Sequence, residues 1–450
     1  MPRLLPLSLV LLAASTFVSA QTYTVLHDFG REVGDTGQLL YPGAIAQGRG
    51  GAILGTTSSE AFRLWPDASF QVLHQFGSGG PWGGLILATD GKFYGTTRTN
   101  GTFRQGTVFK MSQDGSITKL HDFTGGSDGA WPYAAPIQSV GGDFFGTTSG
   151  TSSAGHINYG SIYRITKYGK FTLLHTFTGS DGAYPIGPLV QGTDYYFYGT
   201  AALGGQNNAG TIFRVSSSGD FKVLVNFKEA GGAHPESGLI QATDSNFYGT
   251  TFEGGATGRG VLFRVTPGGT YTVLHNFTGE SDGGWPLGGL VQASDGNLYG
   301  TTSYGTTTNR GVIFRATLTG HVVTVREFDS GTGASPVGAL LQHTSGKLYG
   351  ATQTGGKFHQ GVFYSLDAEL PPFVTYLPAY GRPGTLVQIL GQGFTEDSVV
   401  SFNGTPAKLN VIYPTFIKAA VPDGATTGPI TVSTANGILT SNKVFIVHPN

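Results

Sequence analysis

Three sets of residues in this chain have types and spacing that could do chemistry. The first is a series of rings in a recurring loop such as Ser281-Asp-Gly-Gly-Trp-Pro286. The residues beside the loop's proline are Tyr41, Trp82, Trp131, Tyr184, His234 and Trp285, with Ser335 in the last copy. Rings presented around one face can stack on sugars or grip a peptide. A position repeated in this way also serves the packing of neighbouring units. The second set is Asp128, Asp181 and Asp282 in the same loops. With nearby carbonyls they could offer oxygen ligands to Ca²⁺, but there is no dense Asp-x-Asp-x-Asp run, and turn capping is the plainer role. The third set is Glu236 and Glu253, two acids peculiar to the fifth unit, with Arg259 in reach. Paired carboxylates are what glycoside hydrolysis needs, and solvated loop acids look the same in sequence. The repeated His27, His74, His121, His175 and His275 lie on the outermost strand of their units. They are spread around a rim, too far apart to converge, and read as structural.

The elements that must position these residues are repeats. The stretch Asn297-Leu-Tyr-Gly-Thr-Thr302 occurs seven times, with its glycine at 55, 95, 146, 199, 249, 300 and 350. Steps of 40, 51, 53, 50, 51 and 50 residues, with aromatic and β-branched residues in each copy, indicate a propeller. Each unit holds four strand-like runs, in the sixth Gly289 to Ala293, Asn297 to Thr302, Gly311 to Arg315 and Val322 to Phe328. Asp-Gly and Gly-Gly turns after the first and third runs predict tight hairpins. The first run of the mature chain, Tyr23 to Phe29, is a lone fourth strand, and the last unit, Gly338 to Leu366, lacks one. The N-terminal strand is therefore expected to complete the last of seven blades, leaving no unpaired edge. Both long connections of each unit emerge on one face, where function usually lies. A short loop in the first unit, 7 residues from Gly55 to Phe62 against 14 from Gly95 to Phe109, predicts a notch where a ligand would enter or lean.

Composition narrows the function classes. With 73 glycines, 12% charged residues and a net charge of −1, the chain suits many short strands and tight turns. It does not suit electrostatic binding to nucleic acid or anionic membranes. Residues 1–20 read as a signal peptide, with Arg3, an apolar run from Leu4 to Leu12, and Val18-Ser19-Ala20 at the cleavage site. No cysteine is present, which removes disulfides, thiol catalysis and a lipid anchor at the cleavage site. No later apolar run is long enough to span a bilayer. The mature chain is expected to be a secreted, periplasmic or cell-surface monomer.

Beyond the Pro371-Pro372 linker region (368–373) a different all-β pattern begins. Residues 374–450 resemble an IPT/TIG domain through Gly381-Arg-Pro-Gly384, Gly391-Gln-Gly-Phe394, Val400-Ser-Phe-Asn-Gly-Thr-Pro406, Val421-Pro-Asp-Gly-Ala425 and Thr427-Gly-Pro-Ile-Thr-Val432. That resemblance implies an immunoglobulin-like sandwich and an interaction role. The repeat region, 21–367, resembles the choice-of-anchor (GloVer) tandem repeats of exported bacterial proteins. The resemblance rests on Gly-Leu-x-Gln-Ala-x-Asp-Gly-Asn-Leu/Phe-Tyr-Gly-Thr-Thr, the Gly-x-Val/Ile-Phe-Arg strand and Leu-His-x-Phe. It implies no assigned activity and no defined catalytic residues. The expectation is an all-β, seven-bladed propeller closed by its N-terminal strand, followed by the sandwich. Its expected function is non-enzymatic binding or scaffolding, with a glycan or extracellular protein ligand on the long-loop face and no cofactor. The alternative is a polysaccharide-acting hydrolase or lyase using the acids of that face.

Overall fold

The computed structural model describes residues 21–30, 43, 45–77, 79–150, 152–153 and 156–448. Among them the only helical element is the single turn Glu229–Gly231, and no helix is long and apolar enough to cross a membrane. The repeats form antiparallel sheets of the propeller-blade type. The sixth unit shows the pattern, with strands Val291–Gln292, Leu298–Thr302, Val312–Ala316 and Val322–Glu327 in that order across the sheet. Six sheets repeat this order, and the last unit takes its outer strand from Thr22–Asp28, which pairs antiparallel with Val362–Asp367.

The second strand explains the repeated motif. All five residues of Leu298–Thr302 are buried, because neighbouring sheets cover both faces. Gly300 lies opposite Phe314 on the third strand. A Cβ at Gly300 would fall 2.6 Å from the Phe314 ring and 2.8 Å from Leu290. The same conflict recurs between Gly199 and Phe213 at 2.6 Å, and between Gly249 and Phe263 at 2.7 Å. Only glycine lets the third-strand ring lie across the second strand.

Three kinds of contact then join sheet to sheet. Rings stack across the seams, as in Tyr94 on Phe144 at 3.8 Å and Tyr198 on Phe247 at 4.0 Å. The fourth-strand histidines stack on the next sheet's fourth strand: His121 on Phe171 at 4.0 Å, His175 on Phe221 at 3.7 Å, and His27 on Phe70 at 3.8 Å. First-strand glutamines accept a hydrogen bond from a turn N–H of the preceding sheet, at 2.9 Å from Thr89 to Gln138 and from Thr243 to Gln292. Gln47 of the first sheet accepts one from Thr344 of the last at 3.0 Å, so the run of sheets returns on itself.

The C-terminal segment builds two sheets around one core that includes Val374, Ile389, Val400, Ile417, Ile430 and Phe445. It packs against the turns joining first and second strands, at the end of the repeat region opposite the long loops. Arg49 bonds Gln388 and lies 4.8 Å from the centre of the Phe416 ring. Thr415 Oγ1 donates to the Arg49 carbonyl at 2.8 Å. Gln392 Nε2 donates to Thr344 Oγ1 at 2.8 Å, and Tyr195 Oη meets His448 Nε2 at 2.7 Å. Phe373 in the linker is buried, and its N–H donates to Thr344.

Two outcomes follow from this packing. Gly300→Ala forces a methyl into the Phe314 ring and should lower stability by about 1–3 kcal/mol, as overpacking does. Urea unfolding at an unchanged midpoint would refute the packing account. His343 is buried, donates from Nε2 to Gly51 O at 3.0 Å and accepts at Nδ1 from Ser345 N at 3.2 Å. Burial holds its pKa down to about 4, against about 6.5 in the unfolded chain. Between those values the unfolded chain binds more protons. The contribution, on the order of 3 kcal/mol, is therefore complete above the upper value and lost as the pH falls towards the lower. The wild type should lose more stability than His343→Gln between pH 6.5 and pH 4; equal losses would contradict it.

Candidate functional site

The long loops of each unit are held by one repeated clamp. Trp131, Tyr184, His234, Trp285 and Ser335 all adopt left-handed backbone, with φ of 55°, 56°, 56°, 55° and 53°. This region disfavours bulky side chains, and hydrogen bonds to two loops hold it. His234 N donates to Ala209 O of the preceding unit, and its carbonyl accepts from Phe252 N of its own unit, both at 2.9 Å. Trp285 is held in the same way by Arg259 O at 2.9 Å and Ser303 N at 3.2 Å. The backbone thus serves the repeat, while each side chain remains half-exposed.

The clamp also resets the register of one ring. In the second unit the carbonyl that accepts from the loop N–H of Arg98 belongs to Gly80, at 3.2 Å. Gly80 is therefore the counterpart of Trp131, and Trp82 is the counterpart of Tyr133, Ile186 and Glu236. The sequence places Trp82 with Trp131 because both adjoin a proline, but Trp82 follows Pro81 whereas Trp131 precedes Pro132.

These residues line a cavity of about 450 Å³ on the long-loop face. Its walls are Trp82, Tyr133, Tyr184, Ile186, Ala202, Leu203, His234 and Glu236, with Gln353 from the last unit. Elsewhere in the same register stand the buried Leu287 and Val337. Of the expected ring residues, Trp82, Tyr184 and His234 therefore converge on one cavity. Trp131 and Trp285 stand outside its walls, each with a cation over its ring: Arg98 at 5.2 Å and Arg259 at 4.8 Å. Tyr41 lies outside the described residues. Among the described residues none of the first unit lines the cavity, and the loop 31–42 leading into that unit lies outside the described residues.

Behind one wall, Arg98 is packed among three rings, 4.3 Å from Trp82, 5.0 Å from Tyr133 and 5.2 Å from Trp131. Desolvation raises the Tyr133 pKa, and a hydrogen bond from Arg98 acts the other way without reversing it. Tyr133 therefore keeps its proton as a donor. Also on the cavity wall is His234, whose Nδ1 lies 2.9 Å from Glu253 Oε2. Sequence reasoning paired Glu253 with Glu236, whereas the structure pairs it with His234 and leaves Glu236 on the cavity wall beside them. A bridge between Ala233 and Glu253 sets this contact, a pairing that other units make with Leu203 or Tyr304. Ser237, next to Glu236, is anchored by Thr200 Oγ1 donating to its carbonyl at 2.8 Å.

Asp128, Asp181 and Asp282 turn away to the seams. They bond His121, His175 and His275 at 3.1, 3.0 and 2.8 Å. Each also accepts from the threonine that opens its loop, Thr124, Thr178 or Thr278. Among the described residues no three His, Asp or Glu side chains are grouped to hold a metal ion.

Among the solved structures with the same kind of fold are enzymes of different chemistries. A catalytically inactive virginiamycin B lyase from Staphylococcus aureus, solved with quinupristin, is similar at TM-score 0.54 and 17% identity, over 77% of this chain and 99% of that one. A streptogramin B lyase is similar at TM-score 0.53 and 14% identity, over 77% and 97%. A fungal alcohol oxidase of the AA5 family in complex with copper is similar at TM-score 0.53 and 13% identity, over 92% of this chain and 98% of that one. At these identities the likeness is one of fold. No curated protein matches the chain in sequence. Residues 371–447 match the IPT/TIG domain. Residues 41–244 and 196–382 match the Gloeobacter/Verrucomicrobia repeat, and the chain belongs to that family.

Proposed function

We propose that this is an exported protein whose long-loop face binds a glycan. In this reading the sheets close as a seven-bladed propeller completed by the N-terminal strand. The C-terminal module is an immunoglobulin-like sandwich at the opposite end, and the protein works as a monomer. The observation that carries the reading is the convergence of Trp82, Tyr133 and Tyr184 with Glu236 on one cavity of about 450 Å³. Flat rings stack on the apolar faces of sugars, and a carboxylate accepts from their hydroxyls. A protein ligand gripping the same rings is the second possibility within this reading. A polysaccharide-acting enzyme is a separate reading, favoured by one observation, the contact of His234 with Glu253.

The test is binding of the mature chain, Gln21 to Asn450, to a broad glycan array. Saturable binding is expected, and Trp82→Ala or Tyr184→Ala should weaken it at least about 10-fold, as loss of an aromatic anchor does. Trp131→Ala should have a smaller effect, because Trp131 stands outside the cavity. Absence of binding to any glycan would reject the ligand class and leave a protein partner.

A further inference from the structure

The repeat provides its own control for the cavity. At the clamp position other units carry Trp131, Tyr184, Trp285 or Ser335, and the fifth carries His234. Two residues on, where others carry Trp82, Tyr133 or Ile186, the fifth carries Glu236. Opposite the clamp, where others carry Leu203 or Tyr304, it carries Glu253. Three departures from the repeat, all towards imidazole or carboxylate side chains, fall in one unit: His234 and Glu236 line the cavity, and Glu253 bonds His234. Packing the repeat requires none of them.

The pair also has the geometry of a proton carrier. With Nδ1 of His234 donating to Glu253 at 2.9 Å, the lone pair of the ring is at Nε2, which bonds no described residue. A carboxylate behind an imidazole fixes its tautomer and stabilises the protonated ring. The backbone of His234 is fixed on both sides by hydrogen bonds of 2.9 Å, so the ring starts from a rigid base. The cavity wall also carries Tyr133, whose hydroxyl keeps its proton and is backed by the Arg98 guanidinium. A base and a polarised O–H donor sharing one cavity are the two parts acyl transfer needs.

From this geometry we infer that the cavity hydrolyses acyl esters on a saccharide, with His234 as general base and Glu253 as its positioning residue. The inference rests on the glycan reading of the same cavity. His234 Nε2 takes a proton from water as the water oxygen bonds to the acyl carbon. The carbonyl π pair moves onto its oxygen, facing the Tyr133 hydroxyl. The intermediate then collapses, re-forming the carbonyl and breaking the C–O bond to the sugar. The departing sugar oxygen takes the proton back from His234. The products are a carboxylic acid and a free sugar hydroxyl, with no redox change.

The experiment is acetate release from O-acetylated oligosaccharides by the chain from Gln21 to Asn450, alongside binding of the same sugars. His234→Tyr is the informative variant, because Tyr184 shows that the clamp accepts tyrosine. It should bind the sugar and release acetate at least about 100-fold more slowly, the range general-base catalysis supplies. Glu253→Gln keeps a hydrogen-bond acceptor for the ring and removes the charge. It should lower kcat about 10-fold or more with KM unchanged. Sugar binding without acetate release by the wild type would overturn the inference and leave the binding reading standing. Acetate release undiminished in His234→Tyr would also overturn it. Failure of the wild type to bind any of the sugars would remove both together.

Discussion

The structure depends on a ring lying where a Cβ would otherwise be. In unit after unit the third-strand aromatic crosses the second-strand glycine, with no room for a methyl at Gly199, Gly249 or Gly300. This contact lets the ring lie across the second strand and a leucine at the first strand close on the same spot, as Leu290 does at Gly300. The second strand is then buried on both faces, which is why its other residues are so restricted. Its tyrosine must find a partner for its hydroxyl, and Tyr198 and Tyr248 donate to Asp194 and Asp244 of their own turns at 2.7 and 2.8 Å. Its final threonine accepts from the third strand, as Thr251 does from Val261 at 3.1 Å. Those threonines are where the long loops begin, so the packing of the glycine reaches the cavity through a short, rigid path.

Most of the fold was legible in the sequence because a repeat writes each constraint seven times. The recurring glycine is one example and the lone first strand is another, and Thr22–Asp28 does pair with Val362–Asp367. The C-terminal module was legible through its motifs. The site was legible only in part. A ring beside a proline marks the loop but not the side of the proline on which the clamp falls, so Trp82 was put two residues out of register. Only the hydrogen bond from Arg98 N to Gly80 O reveals the shift. Tyr133 and Arg98 drew no notice, since each looks ordinary in its own loop. Their meeting requires two loops, from successive units, folded against each other. The contact of His234 with Glu253 spans 19 residues and depends on the bridge between Ala233 and Glu253. No local pattern encodes it.

The clamp separates two demands that a functional loop usually mixes. Its backbone is fixed by the repeat, including a left-handed residue that stays in place because both its N–H and its carbonyl are bonded. Its side chain is only half-buried, since the neighbouring units also meet through the stacked rings and glutamines lower down. A tryptophan, tyrosine, histidine or serine can therefore occupy the same backbone without disturbing the seam. The cavity opens where that freedom has been used for large polar and aromatic groups. It closes where the inner register holds the buried Leu287 and Val337. The asymmetry of the mouth is thus a matter of side chains on a nearly symmetric frame.

The C-terminal module completes the frame at the one seam the repeat leaves weak. Where other sheets present a first-strand glutamine to the preceding turn, the second presents Leu87. Arg49 of the first sheet reaches the Thr89 carbonyl at 3.4 Å, and Gln388 of the module donates to the same carbonyl. Burial lowers the Arg49 pKa, a sign that the guanidinium has given up water for this contact. Side-chain glutamine from another domain thus stands in for the missing glutamine of the repeat. The module occupies the hairpin end for a structural reason, and the end that carries the cavity is left free. The module packs on the turns at the hairpin end and leaves the long-loop face, with its cavity, uncovered.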